Sequence, residues 1–178
     1  MEVEVKYRES DLKRLEARLN TLGARFLGDF KEIDVYFQHP LRDFHKTDEA
    51  LRLRIVDGKC ELTYKGPRSN TEVKSREEIT VKVDNIEKMQ EILKRLGFRP
   101  IAKLVKLRRK YILNDCIVSL DRVEHLGSFV EIEALSSVEN PIETVLNTTK
   151  LLQLKGSIME KTYLELLLEK KMIKHEKI

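Results

Sequence analysis

A chain of 178 residues can build one domain with a core of its own, and no apolar run in it reaches the length of a membrane span. Charged residues make up 36% and the net charge is +4, which excludes a strongly acidic chain and favours an anionic partner. Cys60 and Cys116 have neither metal-ligand spacing nor a disulfide framework, and no basic-then-apolar leader precedes the first strand pattern, so a soluble, cytoplasmic protein is expected.

The chain opens with "EVEVKY", where Val3, Val5 and Tyr7 alternate with Glu2, Glu4 and Lys6, the period of a strand. Ser10 is read as the cap of a helix carrying Leu12, Leu15, Leu19 and Leu22 on one face and ending at Gly23. A long second strand with an irregular start follows through "ARFLGDFKEIDVYFQHP", then a polar loop over 39–49. "ALRLRIV" and "KCELTYKG" alternate on either side of Asp57-Gly58, a hairpin signal. "EVKSREEITVKV" reads as a fifth strand. Ile86, Met89, Leu93 and Leu96 give a second helix closed by Gly97. "PIAKLVKLRRKYIL" is a sixth strand, and "CIVSLDRV" and "SFVEIEAL" form a hairpin around 125–127. The remainder is mostly helical from 142 and ends in a basic stretch over 170–178, read as a frayed tail. These elements describe one α+β domain over 1–169 with eight strands.

The strands are apolar on one side and charged on the other, as in a sheet with one wet face. The charges, however, come in like pairs: Glu2/Glu4, Arg52/Arg54, Lys106/Arg108 and Glu131/Glu133. Residues two apart in a strand share a face, and neighbouring like charges weaken a sheet. Two carboxylates become favourable with a divalent cation between them, and two cationic groups with a phosphate. Eight antiparallel strands can close around one small ligand. The expectation is an inverted, eight-stranded antiparallel barrel, a tunnel with a charged interior and helices packed outside.

"EVEVK", "ALRLR", "TYKGP", "REE", "KLRRKY", "SLDRVEHLGSFVEIE" and "KTYLELL" occur in that order, and together they resemble the CYTH superfamily of triphosphate tunnel metalloenzymes over 2–168. The branch most resembled is that of the class IV adenylyl cyclases. The resemblance implies a tunnel that binds a triphosphate, ATP or tripolyphosphate, with Mg2+ or Mn2+. It implies metal binding by Glu2, Glu4, Glu131 and Glu133, and triphosphate binding by Lys6, Arg52, Arg54, Lys65, Arg76, Lys106, Arg108 and Lys161. Lys6, Glu78 and Asp121 are the implied catalytic group, Glu78 and Asp121 orienting arginines or assisting metal. Arg109 falls on the apolar side by alternation.

Two chemistries fit such a cage: attack of a ribose hydroxyl on the α-phosphorus, as in a cyclase, or attack of water on the terminal phosphorus, as in a triphosphatase. The chain has no Trp, which removes the best platform for a thiazolium ring. Non-catalytic binding of RNA or polyphosphate is the other class. The acidic pairs would repel a nucleic-acid backbone, and aromatic residues for base stacking are not interleaved with the basic ones. No nucleic acid or membrane is expected as partner. A sheet edge or helix face could join two copies in a homodimer.

Overall fold

The structure, a computed structural model, describes residues 2–68 and 74–175, with side chains for 3–68 and 76–170. One antiparallel sheet organises it. Its strands are β1 (Glu2–Arg8), β2 (Arg25–Gln38), β3 (Ala50–Val56), β4 (Lys59–Lys65), β5 (Lys74–Arg76), β6 (Glu78–Val83), β7 (Arg99–Leu113), β8 (Cys116–Val123), β9 (Gly127–Ala134) and β10 (Ser157–Ile158). Their order is β10-β1-β9-β8-β7-β2-β3-β4-β6, and β5 pairs with β1. All eight expected strands are present. The fifth is broken at Glu77 into β5 and β6, and β10 is an addition that sequence period could not reveal in two residues. Because β5 bonds to β1 and β6 bonds to β4, one stretch of chain reaches from one edge of the sheet to the other and curves it into a tunnel.

Helices α1 (Leu12–Thr21) and α3 (Pro141–Leu152) cover the outer face of β1, β9, β8 and β7. Leu15, Leu19, Val145 and Leu152 meet Val5, Tyr111, Val118 and Ile132 there. Helix α2 (Ile86–Arg95) covers the opposite wall, with Leu93 beside Leu53, Cys60 and Val83. Asp11, one residue beyond the expected Ser10, caps α1 by accepting from the Arg14 N–H at 3.0 Å, and Asn85 caps α2 through the Lys88 N–H at 2.8 Å. Asp57 and Gly58 both take positive φ, as the two-residue hairpin between β3 and β4 requires.

Helix α4 (Tyr163–His175) departs from the expectation that all helices lie outside. Tyr163 and Leu167 pack on Tyr36, Ala102, Leu104, Val123 and Phe129, which alternation places on the inner face of their strands. The helix therefore occupies one end of the tunnel. Its apolar residues nearly encircle it, since it is flanked by strands rather than resting on a single sheet face. It also continues through Lys170 to His175, so much of the expected frayed tail is helical. Residues 176–178 lie outside the described residues. Among the described residues no helix is long and apolar enough to cross a membrane.

Candidate active site

The inner face of the sheet encloses a cavity of about 300 Å³. Strand alternation aims the charged pairs into it: Glu4 and Lys6 from β1, Arg52 and Arg54 from β3, Lys106, Arg108 and Lys110 from β7, and Glu131 and Glu133 from β9. Cross-strand register then decides which charges meet. Glu4 lies opposite Glu133, and Lys6 opposite Glu131. The Lys6 Nζ is 3.2 Å from Glu131. Arg108 donates to Asp121 through Nε at 2.7 Å and also contacts Glu131.

Two further acids complete the interior. Glu32 and Asp34 of β2 are as buried as any apolar core residue. Arg54 donates a fork to Asp34, at 2.7 and 2.8 Å, and lies 3.3 Å from Glu32. Lys106 is 3.0 Å from Glu32 and 3.8 Å from Asp34. Sequence reading took β2 as a long strand with an irregular start and did not sort its charges by face, so this pair was missed. Yet "KEIDVY" has the same acid-x-acid spacing as the opening strand, and that signal was available.

Burial sets the protonation of these groups. Withdrawal from water would raise the Glu32 carboxyl, but Lys106, Arg108 and Arg54 overcome this and hold it at about 2. Asp34 is likewise held far below the usual carboxylate range, burial being overridden by Arg54 and Lys106. Burial opposes the charge on Lys6, but Glu131 and Glu4 leave its ammonium above its ordinary value. Lys106 goes the other way: burial is joined by the repulsion of Arg108 and Arg54, and its acids only partly compensate. Glu131 stays well below its usual range against burial, through Arg108 and Lys6.

Tyr163 is the second feature sequence reading passed over. Its ring lies under two lysines, with the Lys6 Nζ 4.1 Å and the Lys106 Nζ 5.5 Å from its centre. Its hydroxyl donates to Asp121 at 2.8 Å. Burial, with Glu131 and Asp121 nearby, raises the phenol well above its ordinary value, so it stays a donor. The aromatic platform belongs to the first turn of α4, where Thr162 and Glu165 form a reciprocal capping box.

The other expected site residues fall as follows. Lys65 and Glu78 line the cavity and pair with each other. Arg76 lines it too, and donates through Nε to the Gly66 carbonyl at 2.8 Å. Asp121 sits behind the lining and holds Arg108 and Tyr163. Lys161 is not among the lining residues. It is half exposed and pairs with Glu169 at 2.7 Å, because α4 begins two residues later and turns inward only from Tyr163. Glu2 is in β1 opposite Arg76, but its side chain lies outside the described residues. Arg109 faces outward as alternation indicated, bonded to Asp29 at 2.7 Å and to Glu16.

The 39–49 segment is a folded cap. Phe44 is buried beside Phe37 in the core beneath α2. Tyr64 donates to Glu49 at 2.6 Å, and Arg68 donates to Asp48 at 2.9 Å and to Glu165 at 2.8 Å. Arg68 thereby joins the cap to the start of α4 at the cavity mouth.

The donor set fits a hard divalent cation arriving with an anionic ligand. Glu4 and Glu133 offer adjacent carboxylates on neighbouring strands, and cations make up much of the remaining charged lining. Among the described residues no three acidic, His or Cys side chains converge on one point, so ligand oxygens would have to complete the coordination.

Comparison with known proteins agrees with this architecture. The family model described as the CYTH domain matches residues 1–163. A candidate adenylate cyclase of Methanocaldococcus jannaschii is 39% identical over 171 residues, covering 93% of this chain and 98% of that protein. Adenylate cyclase CyaB of Aeromonas hydrophila is 29% identical over 141 residues, 78% of this chain and 71% of its own. The structure of the Pyrococcus horikoshii protein PH1819 superposes with a TM-score of 0.85 at 39% identity, covering 96% of this chain and 99% of that one. A candidate adenylyl cyclase from Hippeastrum, described as having dominant triphosphatase activity, shares the fold with a TM-score of 0.68 at 20% identity, over 92% and 93% of the two chains. With its tunnel, its paired interior charges and a family match over nearly its whole length, the chain belongs to the CYTH domain family.

Proposed function

We propose that the chain is a divalent-metal-dependent enzyme acting on a triphosphate, and that its reaction is that of a class IV adenylyl cyclase, converting ATP to cyclic AMP and pyrophosphate. The observation that carries this is the convergence of Lys6, Arg52, Arg54, Lys65, Lys106 and Arg108 on one enclosed cavity beside the Glu4–Glu133 pair. The relatives named as adenylate cyclases support the choice of reaction.

In this reading the ribose 3′ hydroxyl gives up its proton to water, its oxygen bonds to the α-phosphorus, the bond from that phosphorus to the β-phosphate oxygen breaks, and pyrophosphate leaves. The buried cations hold the phosphate oxygens and stabilise the charge on the leaving group, where low dielectric strengthens them. Asp121, which accepts from the Tyr163 hydroxyl, fixes Arg108, and Glu78 holds Lys65. A Mg2+ or Mn2+ held by Glu4 and Glu133, with Glu2 and Glu131 as the further expected ligands, would supply charge neutralisation and nucleophile activation. Phe37, Phe44, Ile101, Leu164 and Leu168 line another part of the same cavity, an apolar region that suits a base and that bare tripolyphosphate would not need. An enclosed cavity rimmed with carboxylates is a poor seat for a polynucleotide.

The test is incubation with ATP, GTP, thiamine triphosphate and tripolyphosphate, with either metal, and resolution of the products. Cyclic AMP and pyrophosphate from ATP are expected, and Glu4→Gln should abolish their release. Orthophosphate from ATP or tripolyphosphate would instead assign hydrolysis. No metal-dependent product from any of the four would end the enzyme reading.

A further inference from the structure

A second cavity lies behind the tunnel, on the outer face of the sheet. Its volume is about 340 Å³, within the range of small-molecule sites. Strand register lays out the floor. Lys31 of β2, Leu107 of β7 and Arg122 of β8 stand side by side on adjacent strands. The next row is Asp29, Arg109 and Leu120. Helix α1 forms one wall with Leu12 and Lys13. It leaves Leu107 uncovered, 56% exposed. Arg108, between Leu107 and Arg109, points the other way into the tunnel, so the two cavities stand back to back across β7.

The charges of this outer cavity are unevenly matched. Its acids, Asp29 and Glu16, are both taken up by Arg109. Asp29 accepts from the guanidinium at 2.7 and 2.9 Å, and Glu16 accepts from its remaining nitrogen. Among the described residues, no carboxylate lies within ion-pair distance of Lys13, Lys31 or Arg122. Three cations therefore ring an apolar floor with no acid of their own. The Cα atoms of Lys31 and Arg122 are two strand spacings apart, about 9–10 Å. Side chains of that length can close on one group above Leu107. Arg109 is held still by its acids, and Phe26 packs on it from the Tyr111 side, its ring centre 5.6 Å away. On the Leu107 side the fixed guanidinium plane borders the cavity, and such a plane is a stacking surface for a flat ring.

We propose that this outer cavity binds a small aromatic phosphate monoester, of the size and chemistry of a nucleoside monophosphate. The phosphate sits among Lys31, Arg122 and Lys13. The ring lies over Leu107 and Leu120, against Arg109. Three unmatched cations suit a dianion, whereas a carboxylate would leave two of them unanswered. Bare inorganic phosphate is the poorer occupant, because it covers none of the leucine floor. The diagonal from Arg109 to Lys31 spans about 7–8 Å, which sets ring and phosphate apart by a sugar-sized spacer. Both acids are already bonded to Arg109, so the ligand binds without a metal. The site is independent of the reaction in the tunnel.

The experiment is methyl NMR of the full chain titrated with AMP in the presence of EDTA. The Leu107 and Leu120 methyls should shift saturably. Lys31 and Arg122 are exposed, so Lys31→Ala and Arg122→Ala should leave Tm near its native value. Each should weaken AMP about tenfold by removing one charge-assisted bond. Inorganic phosphate should compete with AMP but bind at least tenfold more weakly. Shifts confined to Leu51, Leu164 and Leu168 would seat AMP in the tunnel and overturn the proposal. So would the absence of saturable shifts at Leu107 and Leu120, or an affinity that both alanine variants leave unchanged. Inorganic phosphate binding as tightly as AMP would overturn the role given to the ring.

Discussion

Glu32 offers the sharpest test of the interior electrostatics. Its carboxylate is held at about 2 in place of 4.5, by Lys106 at 3.0 Å and Arg54 at 3.3 Å, with Arg108 at 4.0 Å. A difference of that size corresponds to about 3 kcal/mol of folding stability at neutral pH. Glu32→Gln keeps the shape, removes the charge and leaves three buried cations less compensated. It should therefore cost about 3 kcal/mol, lowering Tm by roughly 6–12 °C for a chain of this size. The pH dependence has a definite sign. A depressed carboxylate stabilises the fold above its unfolded value, and that contribution fades as pH falls from about 4.5 toward about 2. Urea unfolding of both proteins from pH 7 to pH 3 would measure the gap. It should be widest at pH 7 and shrink steadily below pH 5. A gap that stays constant across this range would refute the electrostatic argument and leave only a packing effect. Saturating tripolyphosphate should recover part of the loss at pH 7 by returning negative charge to the cavity.

Tyr163→Phe removes the hydroxyl bond to buried Asp121 and should cost about 1–3 kcal/mol in chemical denaturation, with a larger loss for Tyr163→Leu, which also removes the ring beneath Lys6 and Lys106. Calorimetric titration with tripolyphosphate should show weaker binding in the same order. Gly156→Ala should cost roughly 3 kcal/mol, because a Cβ there would fall on the Arg8 carbonyl and push β10 away from β1. Faster amide exchange at Met159, which donates to the Lys6 carbonyl at 2.9 Å, would report that separation.

The strands and their charged faces were legible because period two survives wherever a sheet has two unlike sides. Lys6, Arg54, Lys106 and Glu131 followed from it directly. What escaped had other causes. The bulge between Phe26 and Gly28, where φ is +142°, breaks the alternation at the start of β2, and the regular acid-x-acid run of Glu32 and Asp34 beyond it was not sorted by face. The inward position of α4 could not be read from its own residues. "YLELLL" is apolar nearly all round, and only the tertiary arrangement reveals that the surrounding surface is the interior of a tunnel. Lys161 shows the converse: a position in a recognisable motif carries no information about which way its side chain turns at a helix start.

The innermost charges are already paired with one another, and that bears on what can enter the cavity. Each buried ammonium or guanidinium described at the cavity floor is in contact with a carboxylate: Lys6 with Glu131, Arg54 with Asp34, Lys106 with Glu32, and Arg108 with Asp121. A polyanion that claims one of these cations strands the acid it had been bonded to, and a lone metal ion that claims an acid strands a cation. The tunnel therefore behaves as an ion exchanger whose counterions are its own side chains, and the matching guest is a salt that brings both signs at once.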